Sequence, residues 1–159
     1  MDLIDEAARQ WRQRWEQVER MRAVTSLMRV QQILLADLDE ILKTHGLTFA
    51  RYEALVLLSF TKNGSLPLGK MGERLQVHPT SITSIVRKLE DDGFIEREVH
   101  PDDGRAILAS STDAGRKVVE AATQDLTNSG FALNALSEAE SDQIFEILKQ
   151  VRKAAGDQV

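Results

Sequence analysis

Apolar residues between positions 79 and 92 recur at a helical period. They follow the i, i+3, i+4, i+7 spacing that places side chains on one face of an α-helix: Ile82, Ile85, Val86 and Leu89. Pro79 suits the first turn of a helix, where its missing amide proton is not needed, and Gly93 suits the position after the last turn. The pattern therefore predicts a helix over residues 79–92 whose apolar face packs into a core.

The opposite face of this predicted helix carries short hydroxyl side chains followed by charged ones. Its members are Thr80, Ser81, Thr83, Ser84, Arg87, Lys88 and Asp91. Short side chains allow a helix to enter the major groove of DNA, where hydroxyls bond base edges or phosphates and arginine reads guanine. An ordinary amphipathic helix with a solvated polar face would show the same pattern, so the flanking segments must distinguish the two interpretations.

A second, shorter helix is predicted immediately upstream. Residues 68–75 form a compact helical segment and residues 77–79 form a turn, so the two helices make a helix-turn-helix. In that arrangement Lys70 and Arg74 are expected to face DNA phosphates.

A hairpin is predicted immediately downstream. Residues 95–99 and 106–110 are β-capable runs joined by His-Pro-Asp-Asp-Gly, a strong turn composition. Such a hairpin beside a recognition helix is a wing, and Arg105, just past the turn, would project toward an adjacent minor groove. Asp103 lies two residues away and is expected to orient Arg105. These flanking segments favour the DNA-binding interpretation of the helix.

The remaining chain predicts further amphipathic helices that need a cover. A long helix ended by Gly46 carries apolar residues at helical spacing: Leu27, Met28, Leu34, Leu35, Leu38, Ile41 and Leu42. The later helices have recognisable caps: Thr48, then Thr112 for a helix through Leu126, then Ser137 with Glu140 as a capping box. A second copy of the chain would cover the apolar terminal helices in a two-fold dimer. The alternative is that these helices fold back on their own domain.

The pattern as a whole predicts a mainly α fold built on a winged helix-turn-helix. We expect an extra N-terminal helix in residues 1–20, a helical dimerisation region in residues 21–46 and 112–159, and a DNA-binding lobe in residues 47–111. A chain of 159 residues with 42% hydrophobic and 5% aromatic residues suits one such domain.

The charge balance opposes DNA binding. The chain has 20 Lys and Arg against 25 Asp and Glu, a formal net charge of −5, whereas nucleic-acid-binding domains are often basic. Residues 66–110 alone contain six cations and eight acids. The placement of the cations must therefore outweigh their number, and the sequence predicts a modest, salt-sensitive affinity for random duplex.

These motifs together resemble the MarR (multiple antibiotic resistance regulator) family of transcription factors. The resemblance extends over about residues 25–153, and besides the helix-turn-helix its carriers are IVRKLEDDG (85–93), IER (95–97), DGR (103–105) and TDAG (112–115). It implies a homodimeric transcriptional regulator, expected to be a repressor, that binds a pseudo-palindromic operator in double-stranded DNA. In this family pattern Arg105 enters the minor groove and is braced by Asp103.

The segment 3–20 is predicted to be one helix and is similar to the extra N-terminal helix of the urate-responsive MarR subfamily. In that subfamily a tryptophan joins an acid and two arginines to bind a small anion. Here the rings come from Trp11 and Trp15, Glu53 replaces the usual aspartate, Arg97 matches one arginine, and Ser84 stands where the other is expected. The resemblance implies that Trp11, Trp15, Glu53 and Arg97 bind a small anionic or aromatic effector. The alternative is that the tryptophans are packing cover for the dimer.

The sequence contains no pattern typical of an enzyme or of a metal or cofactor site. His45, His78 and His100 lack metal-ligand spacing and a nearby nucleophile motif, there is no cysteine, and GKMGER (69–74) lacks the phosphate-loop pattern. The start of the chain does not look like a signal peptide, and no apolar run approaches the length of a membrane span, so we expect a cytoplasmic protein without a membrane partner. The alternative function is a helical adaptor that uses a winged-helix scaffold for protein contacts.

Overall fold

The computed structural model describes residues 2–157 as a mainly α-helical fold with a small antiparallel sheet. The helices are α1 (Leu3–Arg12), α2 (Val18–Lys43), α3 (Phe49–Ser59), α4 (Leu68–Leu75), α5 (Pro79–Asp91), α6 (Asp113–Asn128) and α7 (Glu138–Ala154). The strands are β1 (Ser65–Pro67), β2 (Ile95–His100) and β3 (Asp103–Ser111), and a short 3-10 helix, Gly130–Ala132, follows α6. The predicted fold class is confirmed, and α4 and α5 form the predicted helix-turn-helix.

A single hydrophobic core joins the second half of α2 to α3, α4, α5, α6 and β2. Its largest fully buried side chains are Leu42, Leu55, Leu58, Met71, Ile82, Val86, Leu89, Ile95 and Leu126. The predicted apolar face of α5 lies in this core, where Ile85 is half-buried and the other three residues are buried. Burial of these side chains therefore determines the rotation of α5 about its axis.

The predicted helix caps are present. The hydroxyls of Thr48 and Thr112 each accept a hydrogen bond from the backbone amide at the third helical position, at 3.4 Å in α3 and 3.0 Å in α6. Ser137 Oγ accepts from the Glu140 amide at 3.3 Å, while Glu140 Oε2 accepts from the Ser137 amide at 2.8 Å. The hydrogen bond from the Ser137 amide lowers the pKa of the Glu140 carboxyl below its ordinary value. The starts of α3, α6 and α7 are therefore encoded locally.

The wing is longer and its turn tighter than predicted. β2 and β3 pair antiparallel as far as His100, whereas the sequence predicted strands over residues 95–99 and 106–110. The register shifts between Val99 and His100, so Gly104, Arg105 and Ala106 of β3 oppose no residue of β2. Only two residues, Pro101 and Asp102, form the turn, and Arg105 follows shortly after it in the unpaired part of β3. The imidazole of His100 closes the tip, because its Nδ1 accepts a hydrogen bond from the Asp102 amide at 3.1 Å.

A third strand, β1, was not predicted. It pairs antiparallel with the other edge of β3, which gives the sheet order β1-β3-β2. The hydroxyls of Ser65 and Ser110 lie 2.7 Å apart across this pairing. A strand of three residues that ends in Pro67 is too short to show the alternation by which strands are recognised.

The N-terminal helix ends at Arg12, so the prediction of one helix through residue 20 is wrong. Gln17 adopts the left-handed conformation, with φ 56° and ψ 38°, and α2 begins at the next residue. Trp11 Nε1 donates a hydrogen bond to the Glu16 carbonyl oxygen at 2.9 Å, which holds the connection in place of a further helical turn. The last residues of the predicted helix therefore belong to α2.

Two helices expose broad apolar faces. The exposed residues of α2 lie toward its start: Val24, Leu27, Met28, Val30, Ile33 and Leu35. Those of α7 are Ile144, Phe145, Ile147 and Val151. No residue of α7 is buried, and Val151 is 64% exposed. The alternative in which this helix folds back on its own domain is therefore wrong for α7.

The end of α5 is joined closely to the start of α6. The Thr112 amide donates to the Phe94 carbonyl oxygen at 3.0 Å, and the Thr112 hydroxyl donates to the Gly93 carbonyl oxygen at 2.7 Å. Gly115 packs against the same backbone segment, which leads into β2; an added Cβ atom would be 2.0 Å from the Phe94 carbonyl oxygen. Only glycine permits this approach, so α5 and α6 are held together at this junction.

We predict that Gly115→Ala lowers the free energy of unfolding by about 1–3 kcal/mol, because the new methyl group overlaps the Phe94 backbone. Gly69→Ala is the matched control, since its Cβ would meet nothing within 4 Å in α4. That control should be neutral or stabilising by up to about 1 kcal/mol, as expected for a helical position. Urea denaturation of both variants at one protein concentration tests this, and equal effects would contradict the close approach at Gly115.

Candidate nucleic-acid interface

The exposed side of α5 is a shallow open groove that carries the predicted hydroxyl face. Its volume is about 450 Å³, and it is lined by Pro79, Thr80, Thr83, Ser84 and Arg87. The helix α5 starts with Pro79 at its first position, and the turn before it begins with Gln76 in the left-handed conformation. The buried apolar face fixes the rotation of α5, so the side chains opposite the core face solvent.

The hydroxyls on this face differ in what they already bind. Thr83 Oγ1 donates to the Pro79 carbonyl oxygen at 2.9 Å, a bond within the helix. Within residues 2–157, the side-chain hydroxyls of Thr80, Ser81 and Ser84 have no hydrogen-bond partner. These three are available to an external acceptor or donor.

The predicted phosphate-facing cations fall into two groups. Lys70 Nζ lies 2.9 Å from Glu73 Oε2, and Lys88 Nζ lies 2.9 Å from Asp92 Oδ1. Arg74, Arg87 and Arg105 are exposed and form no ion pair within the part of the chain that the structure describes; all three lie in or beside the helix-turn-helix and the wing. Exposed ion pairs such as those of the lysines are weak, so a phosphate can replace the carboxylate partner.

Arg105 and Asp103 are brought together in β3. The Arg105 amide donates to Asp103 Oδ1 at 3.1 Å, so the contact in this structure is to the backbone and not to the guanidinium. Both side chains are exposed on the wing. The arginine therefore keeps a free guanidinium on a backbone that Asp103 holds in place.

Comparison with known proteins identifies this architecture. The model of the MarR family matches residues 47–107. The solved structure of Sco5413, a MarR family transcriptional regulator from Streptomyces coelicolor, is 53% identical and covers 88% of this chain and 97% of that one, with a TM-score of 0.82. YkoM, an HTH-type transcriptional regulator of Bacillus subtilis, is 32% identical over 109 residues, which cover 68% of this chain and 70% of YkoM. The chain belongs to the MarR family.

This family consists of DNA-binding transcriptional regulators and not of enzymes, as the sequence predicted. Two further relatives extend the comparison. Sco3205 of Streptomyces coelicolor, solved in complex with DNA, shares the fold at 21% identity and a TM-score of 0.79, over 91% of this chain and 92% of that one. MdtR of Bacillus subtilis, a transcriptional repressor, is 33% identical over 90 residues, 57% of each chain. The chain spans 46% of the length of several mycobacterial HTH-type regulators that it matches at 36–38% identity.

Arg97, which the sequence analysis assigned to effector binding, forms an ion pair. Arg97 Nε lies 2.8 Å from Glu90 Oε2, which connects β2 to the end of α5. The hydrogen bond from Arg97 lowers the pKa of the Glu90 carboxyl, and the same bond raises the pKa of the Arg97 guanidinium. Arg97, predicted to bind an effector, is therefore already paired with a carboxylate in this structure.

The four predicted effector residues are not gathered within one subunit. The rings of Trp11 and Trp15 lie 4.9 Å apart at a tilt of 55°, and Trp11 borders a groove of about 480 Å³ between α1 and α2. Neither Glu53 on α3 nor Arg97 on β2 lines this groove. Partial burial raises the pKa of the Glu53 carboxyl above its ordinary value, and Glu53 has no ion-pair partner in the range 2–157.

The three histidines have structural partners. His78 caps α5, because its Nδ1 accepts a hydrogen bond from the Thr80 amide at 3.2 Å, although histidine is not a usual N-cap. His45 Nε2 lies 2.7 Å from Asp125 Oδ2, and His100 closes the wing tip. Across residues 2–157 no three potential metal ligands cluster.

None of the helices within this described range combines the length and apolar character needed to cross a membrane.

Proposed function

We propose that this MarR-family chain acts as a homodimer that binds a specific double-stranded operator and represses transcription. The observation that carries the proposal is the exposed face of α5, where free hydroxyls and the unpaired Arg87 lie opposite a buried apolar face. The wing places the unpaired Arg105 beside it. The structure of Sco3205 in complex with DNA supports such a use of the shared fold.

In the proposed complex α5 lies in the major groove. The groove is about 12 Å wide and admits a helix whose outward side chains are short. Arg87 reads guanine through its paired donors, and the free hydroxyls of Thr80, Ser81 and Ser84 bond base edges or phosphates. Lys70, Arg74 and Lys88 neutralise phosphates at the border of the groove, with the two lysines exchanging a surface carboxylate for the phosphate.

Arg105 is proposed to enter the adjacent minor groove. A narrow A·T-rich minor groove concentrates negative potential, which attracts an unpaired guanidinium. Asp103 contributes by holding the Arg105 backbone through the 3.1 Å hydrogen bond. Residues 104–106 of β3, which include Arg105, have no partner in β2, so the hydrogen bond to Asp103 is the contact that holds the Arg105 backbone at the wing.

The acidic balance limits nonspecific binding but does not prevent operator binding. The net charge is −5, so long-range attraction to DNA is weak. Two acids near the end of α5 keep a cation beside them when Lys88 turns to a phosphate, since Glu90 binds Arg97 and Asp92 Oδ2 lies 3.9 Å from the Arg51 guanidinium. Affinity for random duplex is expected to be modest and to fall steeply with salt, which leaves specific contacts to provide discrimination.

The proposed dimer buries the apolar faces of α2 and α7. Within one subunit these faces stay open, and α7 buries none of its side chains. A two-fold pairing of identical faces would cover them and place two α5 helices about 34–36 Å apart on successive major grooves. That spacing requires a pseudo-palindromic operator.

Repression is the proposed outcome because a dimer seated across a promoter excludes other proteins, and the relative MdtR is a transcriptional repressor. The adaptor alternative has no comparable support. It would require the exposed hydroxyls and unpaired arginines of the winged helix-turn-helix to have no nucleic-acid partner.

A small anionic or aromatic effector is proposed to release the DNA. Trp15 is 57% exposed and Glu53 has no ion-pair partner among the described residues, so both remain available to a ligand or to a second copy. Arg97 can bind an anion only by exchanging its Glu90 partner. Such an exchange would loosen the contact between α5 and β2 and shift the lobes toward spacings that do not fit DNA.

We predict that Arg105→Ala weakens operator binding by about 1–3 kcal/mol through the lost minor-groove contact. Arg87→Ala should reduce the ratio of affinities between the operator and a mismatched duplex. Arg14→Ala, which removes the same charge from the exposed connection between α1 and α2, is the control. Fluorescence anisotropy at fixed salt measures all three, and an equal loss for Arg14→Ala would show that total charge governs binding.

We predict that Ile147→Glu converts a dimer into monomers, because it places a charge in the apolar face of α7 that is 62% exposed in one subunit. Ala139→Glu adds the same charge on the other side of α7 and should leave the dimer intact. Sedimentation at micromolar concentration is the measurement. A folded monomer for the unaltered chain would contradict the proposed assembly.

We predict that aromatic acids such as benzoate or cinnamate change the tryptophan fluorescence and lower operator affinity, whereas aliphatic acids of similar size do not. Trp11→Phe and Trp15→Phe variants show which ring reports the binding. An unchanged spectrum and unchanged affinity across the panel would contradict effector release while leaving DNA binding unaffected.

A further inference from the structure

Two columns of side chains run along the exposed face of α5. Residues four apart in a helix lie on the same side, so Pro79, Thr83 and Arg87 form one column and Thr80 and Ser84 form the other. All five line the same open groove. Thr83 is half-buried, whereas its four neighbours are exposed, so Thr83 lies deeper in the groove.

The two columns offer different chemistry. The Thr83 hydroxyl already donates its proton to the Pro79 carbonyl oxygen at 2.9 Å, so it has no proton for a base or a phosphate. Pro79 has an apolar ring and no amide proton. The hydroxyls of Thr80 and Ser84, by contrast, have no partner within residues 2–157. The first column therefore offers methyl and ring carbons but no hydrogen-bond donor until it reaches the guanidinium of Arg87.

The 5-methyl of thymine is the apolar group that a base pair can display in the major groove, so A·T pairs have it and G·C pairs do not. Threonine methyl groups are among its usual partners. We infer that Thr83, flanked by the Pro79 ring, receives the 5-methyl group of a thymine near the base that Arg87 reads. Thr83 is then a specificity-determining residue that selects thymine by contact with a methyl group and not by a hydrogen bond. This inference rests on the proposed binding of α5 in the major groove.

A competing role for Thr83 is hydrogen-bond acceptance. Its oxygen keeps a lone pair after donating to Pro79 and could accept from the amino group of adenine or cytosine. The two roles differ in the atom that matters. Thr83→Ser removes the methyl group and keeps the hydroxyl that bonds the helix, while Thr83→Val keeps a methyl group and removes the oxygen.

The test uses the full-length protein and a duplex that it selects from a randomised library. Each thymine of that duplex is replaced in turn by deoxyuridine, which differs only by the absent methyl group. For the unaltered protein we expect one replacement per half-site, near the guanine that Arg87 reads, to weaken binding about fourfold, the ratio that corresponds to burying one methyl group.

The variants then identify the residue that contacts this methyl group. Thr83→Ser changes both subunits of the dimer, so it should bind the thymine duplex about sixteenfold more weakly, about fourfold for each half-site, and lose the preference for thymine over deoxyuridine at that position. Thr83→Val should keep the preference. Thr80→Ser, which removes a methyl group from the other column, should also keep it. Urea midpoints of the variants, compared with the unaltered chain, separate contact loss from a loss of folded protein.

Three results would overturn the inference while operator binding stands. One is indifference of the unaltered protein to every thymine replacement. Another is that Thr83→Ser keeps the full thymine preference. The protein substitution and the replacement of thymine by deoxyuridine would then act independently, and Thr83 would not contact the methyl group. The third is loss of base discrimination in Thr83→Val, which would assign the reading to the oxygen. If the library yields no preferred sequence at all, it is the proposed function that fails.

Discussion

The burial of Ile82, Val86 and Leu89 is the constraint on which the rest of this molecule depends. These three side chains insert α5 into a core shared with α3, α4 and β2, so the helix cannot rotate without exposing apolar surface to water. The opposite face is thereby fixed toward solvent. The short hydroxyls and Arg87 have a defined direction because the opposite face of the helix is buried in the core. A face of this kind on a loosely held helix would have no defined direction.

The fixed helix is also connected to α6, which packs against α2, one of the two helices with an exposed apolar face. Thr112 bonds the backbone of Gly93 and Phe94, and Gly115 lets the first turn of α6 pack directly on that segment. The Glu90–Arg97 pair adds a contact between α5 and β2. Because these contacts are short and mostly to backbone, α5, the base of the wing and the start of α6 should move as one body. In the proposed dimer, a shift between the α2 helices of the two subunits would therefore be transmitted to the exposed face of α5.

Local signals explain which parts of this fold could be predicted. The caps at Thr48, Thr112 and Ser137 use side chains within three residues of the amides they satisfy, and the apolar period of α5 repeats over a whole helix, so both are visible in the sequence. Features that depend on one unusual backbone angle or on distant contacts were not visible. The break at Gln17 needs a left-handed residue that is not glycine, and β1 exists only because β3 offers an edge to pair with.

The same distinction applies to the candidate site. The hydroxyl face and the free arginines of the helix-turn-helix and wing follow from helical and hairpin geometry, and the sequence placed them together. The pairing of Arg97 with Glu90 joins residues seven apart in different elements, and residue type alone could not separate it from a ligand-binding role. Similarly, Trp11 lies near α2 and away from Glu53, because the connection through Gln17 directs α1 along α2.

The sheet of the wing has a consequence for behaviour at high concentration. An unpaired strand edge can recruit a strand from another molecule and start an aggregate. Residues 108–110 of β3, at the base of the wing, are paired on both sides; there, one outer edge is the three-residue β1 with Pro67, and the other is β2 with the charged run Glu96, Arg97 and Glu98. A short edge, a proline and adjacent charges all discourage such recruitment. The base of the wing is thus protected, at high protein concentration, from adding a strand of another molecule to its sheet.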